Sequence, residues 1–419
     1  MDIGPHYVTL PNNSEITKRV INIVGKENIE KLPNNIRNLR KVYFQGKIWN
    51  EFPSVNQFLT QLNSKKILRF TTDMIIIKMT KFLNKKNQTS SKEYIISNYG
   101  NFLYENWFKP YFHSLFFDKE PEKEMMENKF PPLTIKKIFK SIKLKHKSID
   151  NHDKNNKFNF FNCYFKGGMI TFINGLKKEI IKQGGKIETN VDIKSIEHTQ
   201  NKKITYTKNN KTFEIKADLI IYALPLHFAQ KWFDIKPKLN ENNEKDFLNS
   251  IMIFLFIDSP KVLDEWIVDV YDSDIVFWRV SQQSFLSSSI VPKNKTLLNV
   301  EIRVRNESPI WEMSNEKIVE KIKLDLIKMY IIKNEKIENY KVIKLKNLYP
   351  INQKSKNSTI KDLINSHKNE YVAGTESDSE KLISSEDVII NKFRMGGILI
   401  TMSNAQTLVN QIIQKLNNE

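Results

Sequence analysis

The reading of the fold turns on Tyr164-Phe165-Lys166-Gly167-Gly168-Met169, taken with Gly184-Gly185 and with Ala217-Asp218-Leu219-Ile220-Ile221-Tyr222-Ala223-Leu224-Pro225 downstream. The first glycine pair opens a helical pattern, with Ile170, Ile173, Leu176, Ile180 and Ile181 at helical spacing. The second pair stops it, because glycine accepts the left-handed backbone that ends a helix. Lys186 to Val191 reads as a short strand that Ile193 to Ile196 continues. Lys203 to Thr207 and Thr212 to Ile215 then alternate around an Asn209-Asn210 turn. Ala217 to Pro225 is a continuous apolar run ended by proline, the pattern of a buried parallel strand. Helix, strand, hairpin and buried strand in this order predict an α/β layered domain.

Outward from this centre, residues 54–116 read as mainly helical, with Tyr104, Trp107, Phe108, Tyr111 and Phe112 near their end. Residues 145–157 read as a polar loop. Ile251 to Ile257, Ile275 to Val280 and Leu297 to Arg305 read as strands of a second sheet. Ser314 is an N-cap for an amphipathic helix over Glu316 to Tyr330, since a serine oxygen satisfies a free N–H of the first turn. Val372-Ala373-Gly374 ends a short strand, and Ala405 to Leu416 forms a C-terminal helix. No internal repeat is present.

Composition narrows the function classes. The 419 residues include only 12 glycines, six of them in the pairs 167–168, 184–185 and 396–397. The net charge is +19, yet only eight of the 66 bases are arginine, while asparagine fills 46 positions. That bias is what an AT-rich genome produces. It argues against a specific nucleic-acid surface, where arginine's bidentate geometry is favoured. The longest apolar run, Ile251 to Ile257, is far short of the ~20 residues that span a bilayer. Met1-Asp2-Ile3-Gly4-Pro5-His6 lacks the basic and apolar regions of a signal peptide. The single Cys163 excludes an internal disulfide, and a cytoplasmic location is the expectation. The seven histidines and one cysteine show no ligand spacing, so no metal site is expected.

Several segments together resemble the FAD-dependent amine oxidase superfamily, in particular its protoporphyrinogen oxidase-like and UDP-galactopyranose mutase-like branch. Asp2-Ile3-Gly4-Pro5-His6 resembles the D-x-G-P/G-H segment after the second strand. Tyr99-Gly100-Asn101-Phe102-Leu103-Tyr104 through Lys109-Pro110-Tyr111 resembles an aromatic helix of that group. Tyr164 to Met169, Gly184-Gly185 to Ile196, and Leu219 to Pro225 resemble its glycine-pair, strand and "hVIxxxPl" segments. Trp311-Glu312-Met313-Ser314 and Leu348-Tyr349-Pro350 are weaker matches, all in family order. The resemblance implies an α/β, Rossmann-like FAD-binding domain from residues 1–50, 160–227 and 366–419. A substrate-binding domain of helices and a mixed sheet would come from 51–159 and 228–365. One departure stands out. Members open with a G-x-G-x-x-G turn whose helix N-terminus faces the pyrophosphate, and no such motif occurs in this sequence. The chain begins inside the family pattern, so either its dinucleotide-binding segment has been lost, which is the expectation, or a partner supplies that segment, or FAD is no longer bound; activity is in doubt without it.

Carried over residue by residue, the resemblance implies FAD contacts by Gly4, Pro5, His6, Val191, Ala223, Leu224 and Pro225. Near the C-terminus it implies contacts by Gly374, or by Arg394, Gly396 and Met402 if 375–392 is an insertion. The implied chemistry is hydride removal from a C–N or C–C bond of a small molecule. A flavin-dependent isomerase of a nucleotide sugar is the second reading. A non-catalytic basic protein on an anionic surface is the third.

Residues read for substrate are Tyr111, His113, Trp278, Arg279 and Arg303. The arginines stand out by scarcity, and strand alternation puts Arg303 and Arg305 on one face, suited to a carboxylate or diphosphate or to solvent. His113 at a helix end and the aromatics Tyr104, Trp107 and Phe277 also read as structure or core. No catalytic acid or base is assigned. Asp272-Ser273-Asp274 reads as a turn, because both residue types favour turns, rather than as a metal site. Leu133 to Ile149 carries six lysines and no acid, with Ile135, Ile138, Phe139 and Ile142 at helical spacing. It reads as a solvated helix, with peripheral membrane contact through 133–149 as the sharper alternative.

Overall fold

A computed structural model describes residues 6–12, 14–33, 36–83, 90–116, 121, 123–130, 160–224, 226–233, 247–333, 335–350, 361–373 and 398–418. The architecture is α/β with a mixed sheet. Its largest element is a seven-stranded sheet in the order β14-β10-β13-β12-β11-β3-β4. These strands are β3 (Arg40–Phe44), β4 (Lys47–Trp49), β10 (Phe247–Ile257), β11 (Ile267–Val270), β12 (Arg279–Gln282), β13 (Thr296–Val304) and β14 (Ile337–Pro350). All neighbours are antiparallel except β3 and β11, which run parallel.

Alternation along the strands sorts side chains onto the two faces of this sheet. One face is apolar: Ile251, Ile253 and Leu255 of β10, Val280 of β12, and Leu298, Val300 and Ile302 of β13 pack beneath the helix Asn315–Lys328. That helix offers Ile318, Val319, Ile322 and Leu326, and Ser314 Oγ accepts from Lys317 N, as its capping position requires. The opposite face carries an apolar cluster of Met252, Phe254 and Leu297 on β10 and β13, and a polar row from β13 across β12 and β11 that holds the candidate site.

The helices over 55–116 pack into an aromatic cluster with β3, built on Phe44, Phe58, Tyr99, Trp107 and Phe108. A π-helical turn, Tyr104–Phe108, links Asn101–Leu103 to Lys109–Phe116. The turn brings Trp107, Tyr111 and the loop residue Tyr271 into near-parallel stacking, at 5.5 Å between the first two and 6.2 Å between the last two.

A three-stranded antiparallel sheet pairs β1 (Val8–Pro11) and β2 (Ile29–Lys31) on either side of β5 (Phe160–Phe165). The quoted glycine pair follows β5 directly. Gly167 and Gly168 have φ of +80° and +95°, and the helix Met169–Lys182 starts there. Its end is as expected: Gly184 has φ +85°, and its N–H and that of Gly185 bond to the Ile181 and Ile180 carbonyls. Its packed face differs from the expected one. Phe172 and Gly175 are buried, whereas Ile170, Ile173, Ile180 and Ile181 are exposed. Gly175 sets this orientation, because only a residue without Cβ lets the helix approach Ile23 of Glu15–Val24 so closely.

Downstream, residues 186–191 lie in coil rather than in the expected strand, and β6 starts at Asp192 (Asp192–Glu197). Residues 186–190, exposed throughout, pair with no strand among the described residues. The hairpin β7 (Lys202–Lys208) and β8 (Lys211–Ala217) turns at Asn209 and Asn210, with φ of 49° and 60°. The apolar run 217–225 yields a short β9 (Ile220–Tyr222), parallel to β15 (Glu370–Val372). Only Ile220 and Tyr222 are buried; Ile221 is exposed, so one face of this strand is open. The buried Glu370 carboxylate accepts from the Tyr222 hydroxyl at 2.9 Å and lies 3.0 Å from His198 Nδ1 and 3.9 Å from Lys202 Nζ. Burial, then this neighbouring carboxylate, pushes the Tyr222 pKa far up. The C-terminal helix spans Ile398–Asn418.

Candidate active site

On β13 the apolar Leu298, Val300, Ile302 and Val304 face the core, so Asn299, Glu301 and Arg303 share the opposite side. Register sets Arg279 and Ser281 of β12 against Glu301 and Asn299, and Asp269 of β11 against Arg279. Arg40, at the start of β3, completes a row of alternating charge across four neighbouring strands. Arg40 Nε donates to Asp269 Oδ2 at 2.5 Å, and Arg279 Nε donates to Asp269 Oδ1 at 2.8 Å. Arg279 Nη1 lies 3.7 Å from Glu301 Oε2.

The row is buried where it matters. Asn299 and Glu301 are 0% and 1% exposed. Burying a charge costs several kcal/mol unless it is paired, and Asp269 is paired on both oxygens. Glu301 is not: among the described residues its Oε1 has no hydrogen-bond partner, and neither amide atom of Asn299 has one. Burial raises the Glu301 pKa above the usual carboxylate range, against the opposing pull of Arg279. Three guanidiniums thus face two carboxyls, one of them biased toward its neutral form.

Trp278 joins the row to a cavity. The guanidinium carbons of Arg279 and Arg303 lie 3.8 and 3.9 Å from its indole centroid, a cation–π contact to each. Arg303 also donates to the Ser114 carbonyl. The cavity, about 240 Å³, is lined by His113, Ser114, Tyr271, Phe277, Trp278 and Arg303 among others. Burial, with the charge of Asp269, pushes the Tyr271 hydroxyl up to about 12, so it stays protonated and can donate. The sequence expectation of a strand over Ile275–Val280 is corrected at its start. Residues 272–278 turn, because the Asp272 carboxylate binds the N–H groups of Gln45 and Gly46 and ties this loop to the β3–β4 turn.

Of the residues read from the sequence for substrate, His113, Trp278 and Arg303 line this one cavity, and Arg279 packs on Trp278 beside it. Tyr111 lies one layer behind, stacked on Tyr271. Tyr104 and Trp107 are core residues. Among those implied for FAD, His6 precedes β1 and is exposed, and Met402 packs against the β1–β5 core. Val191 precedes β6, and Ala223 and Leu224 follow β9, with Ala223 exposed. Gly4, Pro5, Pro225, Gly374, Arg394 and Gly396 lie outside the described residues, as do the 145–157 loop and the 133–149 segment. Among the described residues no group of three or more His, Cys, Asp or Glu is placed to hold a metal ion.

The sequence reading missed Arg40, Asp269, Asn299 and Glu301. Asn299 and Glu301 were within reach, since they fall in step with Arg303 on the period-two pattern of β13. Arg40 and Asp269 carried no local signal, because only strand pairing brings them together.

The orphaned Asn299 amide and Glu301 carboxyl do not themselves line the cavity, whose one arginine is Arg303, but they lie four and two residues before it on the same side of β13, and together the three fit a polar ligand that supplies both donors and acceptors. The family model described as flavin containing amine oxidoreductase matches residues 1–348. A crystal structure of reduced UDP-galactopyranose mutase shares the fold at TM-score 0.59 and 13% identity, covering 86% of this chain and 75% of that one. A protein from Exiguobacterium sp. 255-15, provisionally called a protoporphyrinogen oxidase, does so at TM-score 0.54 and 12% identity, covering 93% and 86%. No curated protein matches significantly.

Proposed function

This chain belongs to the flavin containing amine oxidoreductase family, and from that premise we propose that it is an FAD-dependent oxidoreductase acting on a small anionic molecule. It would be of the amine oxidase and protoporphyrinogen oxidase type. One observation carries the reading. The polar row has a surplus of guanidinium over carboxylate, and Asn299 and Glu301, buried without partners among the described residues, share one side of β13 with Arg303, which lines the cavity. Such groups are costly in the free protein and become satisfied when a ligand arrives.

Bound FAD supplies the hydride acceptor. The chain's own residues bind and orient. Arg303, held by the Ser114 carbonyl and the Trp278 indole, presents its guanidinium to a carboxylate or phosphate oxygen. Arg279 is locked by Asp269 and adds charge without moving. Burial raises the Glu301 pKa, which favours the protonated carboxyl as a hydrogen-bond donor, while the Asn299 amide offers its NH2 as donor and its carbonyl oxygen as acceptor. His6, Val191, Ala223, Leu224 and Met402 are the described residues assigned to the flavin side.

Titration of the purified chain with FAD tests the cofactor: saturable quenching of flavin fluorescence is expected, and its absence overturns the reading. Thermal stabilisation by benzoate or pyrophosphate, lost in Arg303→Met, tests the anion site. Turnover that consumes no electron acceptor would assign an isomerase instead.

A further inference from the structure

The helix Ser64–Leu83 is turned inside out relative to an ordinary surface helix. Phe70 and Met74 pack inward on the aromatic cluster. Leu68, Ile75 and Met79 point outward and are 69%, 55% and 61% exposed, with Ile67 exposed beside them. At 100° per residue, positions 68, 75 and 79 fall within one narrow stripe along the helix. Lys65, Arg69 and Lys78 are exposed on its flanks. The one acid between Ser64 and Met79, Asp73, is half-buried and engaged: its Oδ2 accepts from the Phe102 N–H at 2.5 Å, and its side chain sits against Gly100. The outward face of the helix is therefore apolar along its centre and basic at its margins, with Asp73 bound to the Phe102 N–H and Glu105 paired with Lys109 in the groove beside Leu68 and Arg69.

We propose that this helix lies flat on an anionic lipid surface. An apolar stripe with basic flanks is what such an interface requires: large aliphatic side chains enter the acyl boundary while ammonium and guanidinium groups meet the headgroups. A second copy fits less well, because pairing two such faces would bring Lys65, Arg69 and Lys78 of each against those of the other. The helix would rest on the bilayer rather than cross it, since no described helix is long and apolar enough to span a membrane. Through Asp73 the docking helix is tied to Phe102. It thus connects with the π-helical turn and the helix Lys109–Phe116 that carries His113 to the cavity wall. This inference is independent of the proposed chemistry, and neither falls with the other.

Co-sedimentation of the full chain with vesicles separates the possibilities. Wild type is expected to bind vesicles of phosphatidylserine and phosphatidylcholine at least tenfold more tightly than phosphatidylcholine alone. The variant Leu68→Ser/Ile75→Ser/Met79→Ser keeps every charge and should lose at least tenfold of the binding. Circular dichroism checks its fold, and the single substitutions Leu68→Glu and Met79→Glu serve if the triple variant does not fold. Equal binding by wild type and the serine variant would overturn the proposal, leaving only the general positive charge. So would absence of binding to anionic vesicles at low salt. Self-association of wild type, abolished by the same substitutions and unaffected by lipid, would assign the stripe to a second copy and overturn it likewise.

Discussion

Glu301 Oε2 lies 3.7 Å from Arg279 Nη1, while the other oxygen of the same buried carboxyl meets no hydrogen-bond partner. The half-made pairing leaves desolvation dominant, so the folded pKa sits above the unfolded value of ~4.3. A raised folded pKa means that the stability contribution is complete below the unfolded pKa and is lost as pH rises through the folded one. Glu301→Gln keeps the shape and removes the charge. Its Tm should match wild type near pH 4 and exceed it increasingly toward pH 7, measured by scanning calorimetry. Parallel curves across that range would contradict this account.

At Gly175 an added Cβ would come 2.4 Å from the Ile23 carbonyl oxygen and 2.7 Å from Ile23 Cγ2. The first of these is backbone and cannot swing aside. Gly175→Ala should destabilise the fold by about 1–3 kcal/mol in urea unfolding. Lys177→Ala, exposed on the same helix, should change stability by less than about 0.5 kcal/mol.

The β7–β8 turn places Asn209 and Asn210 at φ of 49° and 60°, the left-handed pair of a type I′ hairpin. A branched side chain resists that region. Asn210→Val should cost about 1–2 kcal/mol, whereas Asn210→Gly should leave thermal stability equal to or above wild type.

Cys163 lies at the centre of β5, opposite Val8, and burial pushes its thiol up to about 12. Thiolate is the reactive form, so this cysteine is inert while β5 is paired. A thiol reagent at pH 8 should label nothing in the native protein and one equivalent after denaturation. Rapid native labelling would show that the β1–β5–β2 sheet opens.

Local patterns in the sequence were read best where the determinant was itself local. The glycine pairs at 167–168 and 184–185 bound their helix because positive φ is a property of a single residue. Asn209-Asn210 marked its hairpin for the same reason. The outward roll of Met169–Lys182 could not be read from Ile170, Ile173 and Ile180, since a stripe of isoleucines states a face without stating what it meets. Gly175 held that information, yet its significance depends on Ile23, 152 residues away. The same limit governed the site. Arg303 and Trp278 were noticed one by one, but the Arg40–Asp269–Arg279–Glu301 row exists only through the pairing of β3 with β11, β11 with β12 and β12 with β13.

The hydrogen bond from Tyr222 to Glu370 joins residues 148 positions apart. Every strand of the seven-stranded sheet has been synthesised by Pro350, whereas β9 must wait for Glu370 to leave the ribosome. At ~5–20 residues per second, the acceptor arrives roughly 7–30 seconds after the tyrosine. Over the last ~1–4 seconds of that interval, from Pro350 to Glu370, the nascent chain carries every strand of the large sheet beside an unpaired apolar β9. That edge is where a chaperone would bind first and where misassembly during translation would begin.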